Sequence, residues 1–112
     1  MIDIAILLGA ALLGGAIAIY WKNIVNWMKN LINNLPLAIK KFLTGVETFI
    51  TSVKEGFFNI IKTYSYKDHK WTETIEHQDV REYDIPEHIR NQLKKQSTIN
   101  TTDEVLLELK KQ

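Results

Sequence analysis

The sequence predicts a mainly α-helical membrane protein with one N-terminal transmembrane helix, long basic amphipathic helices and a small C-terminal α+β tail. Three observations lead to this prediction. Residues 4–21 carry no charge, residues 21–64 repeat apolar side chains at helical spacing, and residues 65–112 mix strand-forming residues with charges. We therefore divide the 112 residues into a span at 1–21, juxtamembrane helices at 22–64 and a tail at 65–112.

The apolar segment 4–21 is long enough to cross a bilayer. As a helix it extends roughly 27 Å, close to the ~30 Å thickness of the hydrocarbon core. A buried helix of a soluble core is one alternative, but an all-round apolar helix needs cover on every side. A secretory signal peptide is the other; Ala16-Ile17-Ala18 resembles a cleavage site, yet only Asp3 and the amino terminus precede the apolar run.

The charge distribution predicts the orientation of this span. Residues 22–64 contain six lysines against two glutamates, and residues 65–112 contain eight basic against ten acidic residues. The positive-inside rule then places the N-terminus outside and the C-terminus in the cytoplasm, as in a single-pass protein of the cell membrane. The residues expected at the membrane interface are Tyr20, Trp21, Lys22, Trp27 and Lys29.

Small residues in the span predict helix packing. On a helix they form one stripe in its C-terminal half and a second, nearly opposite stripe. Two opposed packing faces favour a homo-oligomer, although Gly and Ala are also generally common in spans. The candidate packing residues are Gly9, Ala10, Gly14, Gly15 and Ala18.

Residues 21–64 are predicted to form two amphipathic helices with a break near Pro36, because proline disfavours helix in the preceding residue. We expect helices at about 21–33 and 36–64. The apolar positions of the second are Ile39, Phe42, Val46, Phe49, Val53, Phe57, Ile60 and Tyr64. This seam could pack against other copies, lie on the membrane surface, or fold back on the first helix.

The tail is predicted to contain a short hairpin and two helices. Strands are expected at about 70–77 and 80–84, and a helix should start around Asp84-Ile85-Pro86 and run to about Gln96. After a connector at 97–100, Thr101 or Thr102 should cap a last helix. The expected tail core is Trp71, Ile75, Val80, Ile85, Ile89, Leu93, Ile99, Leu106 and Leu109.

The sequence offers no catalytic constellation. His77 with Glu76 and Asp79 matches no standard metal-ligand spacing, cysteine is absent, and no glycine-rich phosphate loop is recognisable. We therefore expect no enzymatic activity, cofactor or metal. The acidic residues between 68 and 87 make nucleic acid an unlikely partner.

These patterns lead to two functional hypotheses. The first is a self-assembling membrane protein that forms a pore or disrupts the bilayer, with a regulatory cytoplasmic tail. The alternative is a non-conducting membrane adaptor that recruits a protein partner through residues 65–112. By architecture alone, the layout is similar to holins, membrane effectors of anti-phage defence and subunits of membrane complexes. The richness in Ile, Asn and Lys suggests a bacterial or phage source.

Overall fold

The computed structural model describes residues 2–3 and 19–111, with side-chain positions for 19–110. The chain forms helices and an antiparallel sheet. In chain order the elements are β1 (Ile2–Asp3), α1 (Ile19–Asn33), α2 (Leu37–Lys40), β2 (Leu43–Val53), β3 (Gly56–Lys67), β4 (Lys70–Val80), a 3₁₀ turn (Glu82–Asp84), α3 (Glu87–Leu93), β5 (Thr98–Asn100) and α4 (Thr102–Lys111).

The sheet is a meander of three long strands with two short strands added at one edge. β2, β3 and β4 pair antiparallel in sequence order, and β1 and β5 both pair with the other side of β2. The β3–β4 register is continuous from Phe57↔Val80 to Lys67↔Lys70. Among the described residues, β4 therefore pairs with β3 alone and forms the far edge of the sheet.

The predicted helix at 36–64 is wrong, because most of that segment forms the β2–β3 hairpin. β-branched and aromatic residues dominate the segment, and they favour strands. The alternation typical of strands is blurred since apolar side chains occur on both faces: Val46 is buried towards the helices, whereas Phe49 and Ile60 lie opposite each other on the other face. Gly56 has φ +151°, which suits the hairpin turn and not a helix.

The helices cover one face of the sheet and enclose the core. α1 contributes five buried residues, among them Val25 and Met28, which are fully inaccessible to solvent. On the sheet, Val46, Ile50 and Ile61 contribute to the same core. The helix predicted at about 21–33 is confirmed, and it packs against α4 from the other end of the chain.

The predicted order of helices in the tail is confirmed, but the tail is not a separate unit. α3, β5 and α4 lie near the expected positions. The strand expected at 70–77 lies within β4, paired with β3, whereas the strand expected at 80–84 is wrong, because β4 ends at Val80 and a 3₁₀ turn follows at Glu82–Asp84. The Asn100 Oδ1 atom accepts the Thr102 N–H at 2.9 Å and caps α4. Thr101 and Thr102 instead hydrogen-bond to Thr48 in β2, which fixes the start of α4 on the sheet.

The predicted membrane protein is contradicted. Of the helices in the described part of the chain, none is both long enough and apolar enough to cross a membrane. The α+β fold and this finding overturn the predicted single-span fold class, the pore or membrane-adaptor function and the cell-membrane location. Residues 4–18, which include the predicted packing residues Gly9, Ala10, Gly14, Gly15 and Ala18, lie outside the described residues.

Candidate functional site

The face of the sheet that points away from the helices, called here the open face, carries aromatic and aliphatic side chains. On β3 and β4 none of these side chains is buried. Antiparallel sheets commonly leave one face to solvent, but that face is usually polar. The apolar and aromatic members are Phe49, Phe58, Ile60, Tyr64, Tyr66, Trp71, Ile75 and His77.

Ring contacts and ion pairs order the centre of the open face. The Tyr64 hydroxyl donates to Glu47 Oε1 at 2.7 Å, and partial burial together with this carboxylate raises the pKa of the Tyr64 phenol. Lys62 lies 3.6 Å from Glu73, and its Nζ is 5.0 Å from the centroid of the Phe49 ring. The centre of the face is thus largely occupied by contacts within the chain.

The side chains next to the β4 edge are much more exposed. Trp71 is 62% exposed and Ile75 is 53% exposed, although Trp71 contacts the Tyr66 ring at a centroid distance of 4.9 Å. Both residues were predicted to be core residues, and that prediction is wrong. Five of the other predicted tail-core residues are buried, namely Ile85, Ile89, Leu93, Ile99 and Leu109.

The backbone of β4 presents a row of hydrogen-bonding groups to the outside. β3 and β4 are joined by a two-residue turn, Asp68-His69, and both turn residues have positive φ. The Lys67–Lys70 pair that closes such a turn is hydrogen-bonded, so the even-numbered residues of β4 bond to β3. The N–H and C=O groups that point away from β3 are those of Trp71, Glu73, Ile75, His77 and Asp79.

A groove runs along the helix side of the same edge. It has a volume of about 550 Å³ and lies between α1, the α1–α2 connection and β4. Trp27, Leu31 and Leu35 are only partly buried and form much of its apolar wall. The β4 side chains that reach it are Thr74 and Glu76.

The edge carries net negative charge. β4 contains Lys70 against Glu73, Glu76 and Asp79. Glu73 is paired with Lys62, whereas Glu76 and Asp79 form no ion pair with any residue that the structure describes. A segment that binds along β4 therefore meets two uncompensated carboxylates.

The residues predicted for a membrane interface lie along α1. Trp21 is buried in the core, Trp27 lines the groove, and Lys22 is exposed. Tyr20 donates its hydroxyl to Asn59 Oδ1 on β3, and burial raises the pKa of the Tyr20 phenol well above its usual range. Lys29 is half-buried.

The candidate residues that the sequence did not predict are those of the β4 edge. Within the described ranges, no group of His, Asp or Glu side chains is arranged to hold a metal ion. The sequence signal for the edge is that Trp71 and Ile75 share one strand face with Glu73, His77 and Asp79, a mixture that a buried face does not tolerate.

No protein-family model matches this chain, and comparison with curated proteins and with solved structures gives no match either.

Proposed function

We propose that this protein is a binding module that takes up an extended, basic segment of another polypeptide along the β4 edge. The observation that carries the proposal is the free edge itself, an 11-residue strand with five outward-facing residues and no described strand beyond it. Such an edge is a template for adding a strand, because each added residue can complete backbone hydrogen bonds.

Of the features that usually block an exposed edge, β4 has charged side chains but neither a proline nor a bulge. Lys70 is its one basic residue, at the end beside the turn. A partner strand can therefore lie flat against most of the length of β4. The hydrogen bonds would supply affinity without reference to sequence, so specificity must come from side chains.

The side chains on the two faces of β4, the open face and the helix side, define the preferred partner. Partner residues opposite Glu73 and Asp79 stand on the open face, where lysine or arginine would face the unpaired Asp79 carboxylate and the Glu73 carboxylate that Lys62 already contacts. The partner residue opposite Ile75 would gain most by being apolar. Residues between these positions point to the helix side, where the groove beside Thr74 offers an apolar wall.

Charge also favours a basic segment over a second copy of this chain. Two β4 strands would bring two net-negative edges together, and like charges on neighbouring strands are destabilising. The homo-oligomer predicted from the sequence thus remains a prediction and becomes one possible outcome of the experiment below.

The experiment compares three synthetic peptides of the same length as β4. All share a Val/Thr strand-forming background, and the two positions meant to lie opposite Glu73 and Asp79, which are six residues apart, carry Lys, Gln or Glu. Binding is followed by NMR as slower exchange of the backbone amides of Trp71, Glu73, Ile75, His77 and Asp79. We expect the Lys peptide to bind up to about 30-fold more tightly than the Gln peptide, since two exposed ion pairs contribute about 0.4–2 kcal/mol. The Glu peptide should bind weakest.

The matched variants are Asp79→Lys on the edge and Glu55→Lys in the β2–β3 turn, both exposed acids. Asp79→Lys should weaken binding of the Lys peptide, and Glu55→Lys should leave it unchanged. The proposal is overturned if no peptide slows exchange of the outward amides, or if the three peptides bind equally. Protection that grows with protein concentration alone would identify a second copy as the occupant, and would also overturn the basic-segment proposal.

A further inference from the structure

A second cavity lies at the other end of the sheet from the β3–β4 turn, between α3 and the β2–β3 hairpin. Its volume is about 290 Å³. The apolar part of its wall is Phe57 and Leu93, and polar side chains surround the opening. The residues that line it are Ser52, Phe57, Glu82, Glu87, Arg90, Asn91, Leu93 and Lys94.

Arg90 is the feature of this cavity that needs an explanation. The Nε atom is fully buried and has no hydrogen-bond partner. The guanidinium also forms no ion pair with any acid that the structure describes. The Arg90 side chain as a whole is half-buried, but a buried N–H without an acceptor is costly, since burial removes water without supplying a partner.

The fold holds Arg90 at the cavity wall. Ile89 is fully buried and Leu93 is nearly so, and these residues fix α3 on the core. Arg90 lies between them in sequence and lines the cavity together with Lys94, one turn further along the helix. A ligand in the cavity would therefore meet two cationic side chains and an apolar wall.

We propose that this cavity binds a small monocarboxylate whose apolar body lies against Phe57 and Leu93. The planar guanidinium of Arg90 presents parallel N–H donors that match the two oxygens of a carboxylate. Lys94 adds a second positive charge near the opening. The side chains of Glu82 and Glu87 also line the cavity, and their charges disfavour a phosphate dianion more strongly than a single carboxylate.

The experiment uses the fact that the chain contains two arginines, Arg81 and Arg90. Each gives one side-chain Nε–H signal in a ¹⁵N NMR spectrum. Arg81 donates to Asp84 Oδ2 at 2.8 Å on the surface and serves as an internal control. On titration with 4-methylpentanoate, the Arg90 signal should shift to saturation, whereas the Arg81 signal should stay in place.

Two matched variants test the role of the guanidinium. Arg90→Lys keeps the charge but loses the paired donors, and it should weaken 4-methylpentanoate binding about tenfold or more. Arg81→Lys should bind like the unmodified protein. Circular dichroism spectra of both variants establish that they are folded, so that loss of binding is not loss of structure.

Three results would overturn the inference. In the first, the Arg81 signal shifts as much as the Arg90 signal during the titration, which indicates a general salt effect. The second is tighter binding of inorganic phosphate than of 4-methylpentanoate. In the third, Arg90→Lys leaves 4-methylpentanoate binding unchanged while Glu87→Gln shifts the Arg90 signal in the free protein; Arg90 would then be paired with Glu87 within the helix and would not hold the carboxylate.

Discussion

At the scale of single residues, Tyr20 illustrates how a side chain that looks suited to a membrane surface is used inside this fold. Its hydroxyl donates to the side chain of Asn59, which is 5% exposed. Beside it, Trp21 packs edge-on against the Tyr20 ring at 4.9 Å and is buried in the core. An amphipathic aromatic suits either place, so residue type alone could not decide between them.

Replacing Tyr20 by Phe should lower the free energy of unfolding by about 1–2 kcal/mol, because the buried Asn59 amide loses its partner. It should also flatten the pH dependence. Burial raises the pKa of the folded Tyr20 phenol, so its contribution is complete below about pH 10 and is lost as pH rises further. Urea unfolding at pH 8 and at higher pH measures both effects.

The control for this prediction is Tyr83→Phe, because Tyr83 is 70% exposed. It should change stability by less than about 0.5 kcal/mol. If Tyr20→Phe and Tyr83→Phe behave alike, the Tyr20–Asn59 hydrogen bond does not stabilise the fold.

At the scale of elements, the sequence predicted the positions of α1, α3 and α4, but it mistook the β2–β3 hairpin for a helix. α3 and α4 have start signals that act locally, namely Pro86 and the acidic first turn of α4, and α1 ends shortly before Pro36, so these positions follow from the chain itself. β2 and β3 carry apolar side chains on both faces, and the resulting spacing of three and four imitates a helix. The β4 edge was not predicted either, because a strand becomes an edge strand only through its place in the assembled sheet.

The β3–β4 turn gives a prediction at this scale. Asp68 and His69 have φ of 52° and 63°, a conformation that favours glycine at the second position. His69→Gly should raise the free energy of unfolding by up to about 1 kcal/mol, because it removes the strain of a left-handed non-glycine residue. Urea unfolding measures the change.

His88→Gly is the matched control, because His88 is equally exposed but lies within α3. Glycine there should destabilise by about 1 kcal/mol. Two changes of the same residue type should thus have opposite signs. Destabilisation by His69→Gly would contradict a left-handed conformation at position 69.

At the scale of the whole molecule, the chain closes its core with elements far apart in sequence. α1 and α4 pack on each other and on the same sheet face, and Met28 and Val105 are both inaccessible to solvent. Because the same sheet joins residues before and after position 65, the described elements share one core. No side chain of β4 is buried, so the candidate edge joins this shared core through its continuous pairing with β3.

This arrangement predicts that a core substitution in α1 lowers the stability of α4 and the stability of the sheet by the same amount. Met28→Ala should lower the free energy of unfolding by about 2–5 kcal/mol, and Leu107→Ala, at a side chain 57% exposed, by less than about 0.5 kcal/mol. Native-state amide exchange at Ile61 in β3 and Val105 in α4 should report the same loss for Met28→Ala. If Val105 lost protection while Ile61 kept it, α4 would open apart from the sheet. The edge strand would then not depend on helix packing, and a partner bound along β4 would leave the exchange of α4 unchanged.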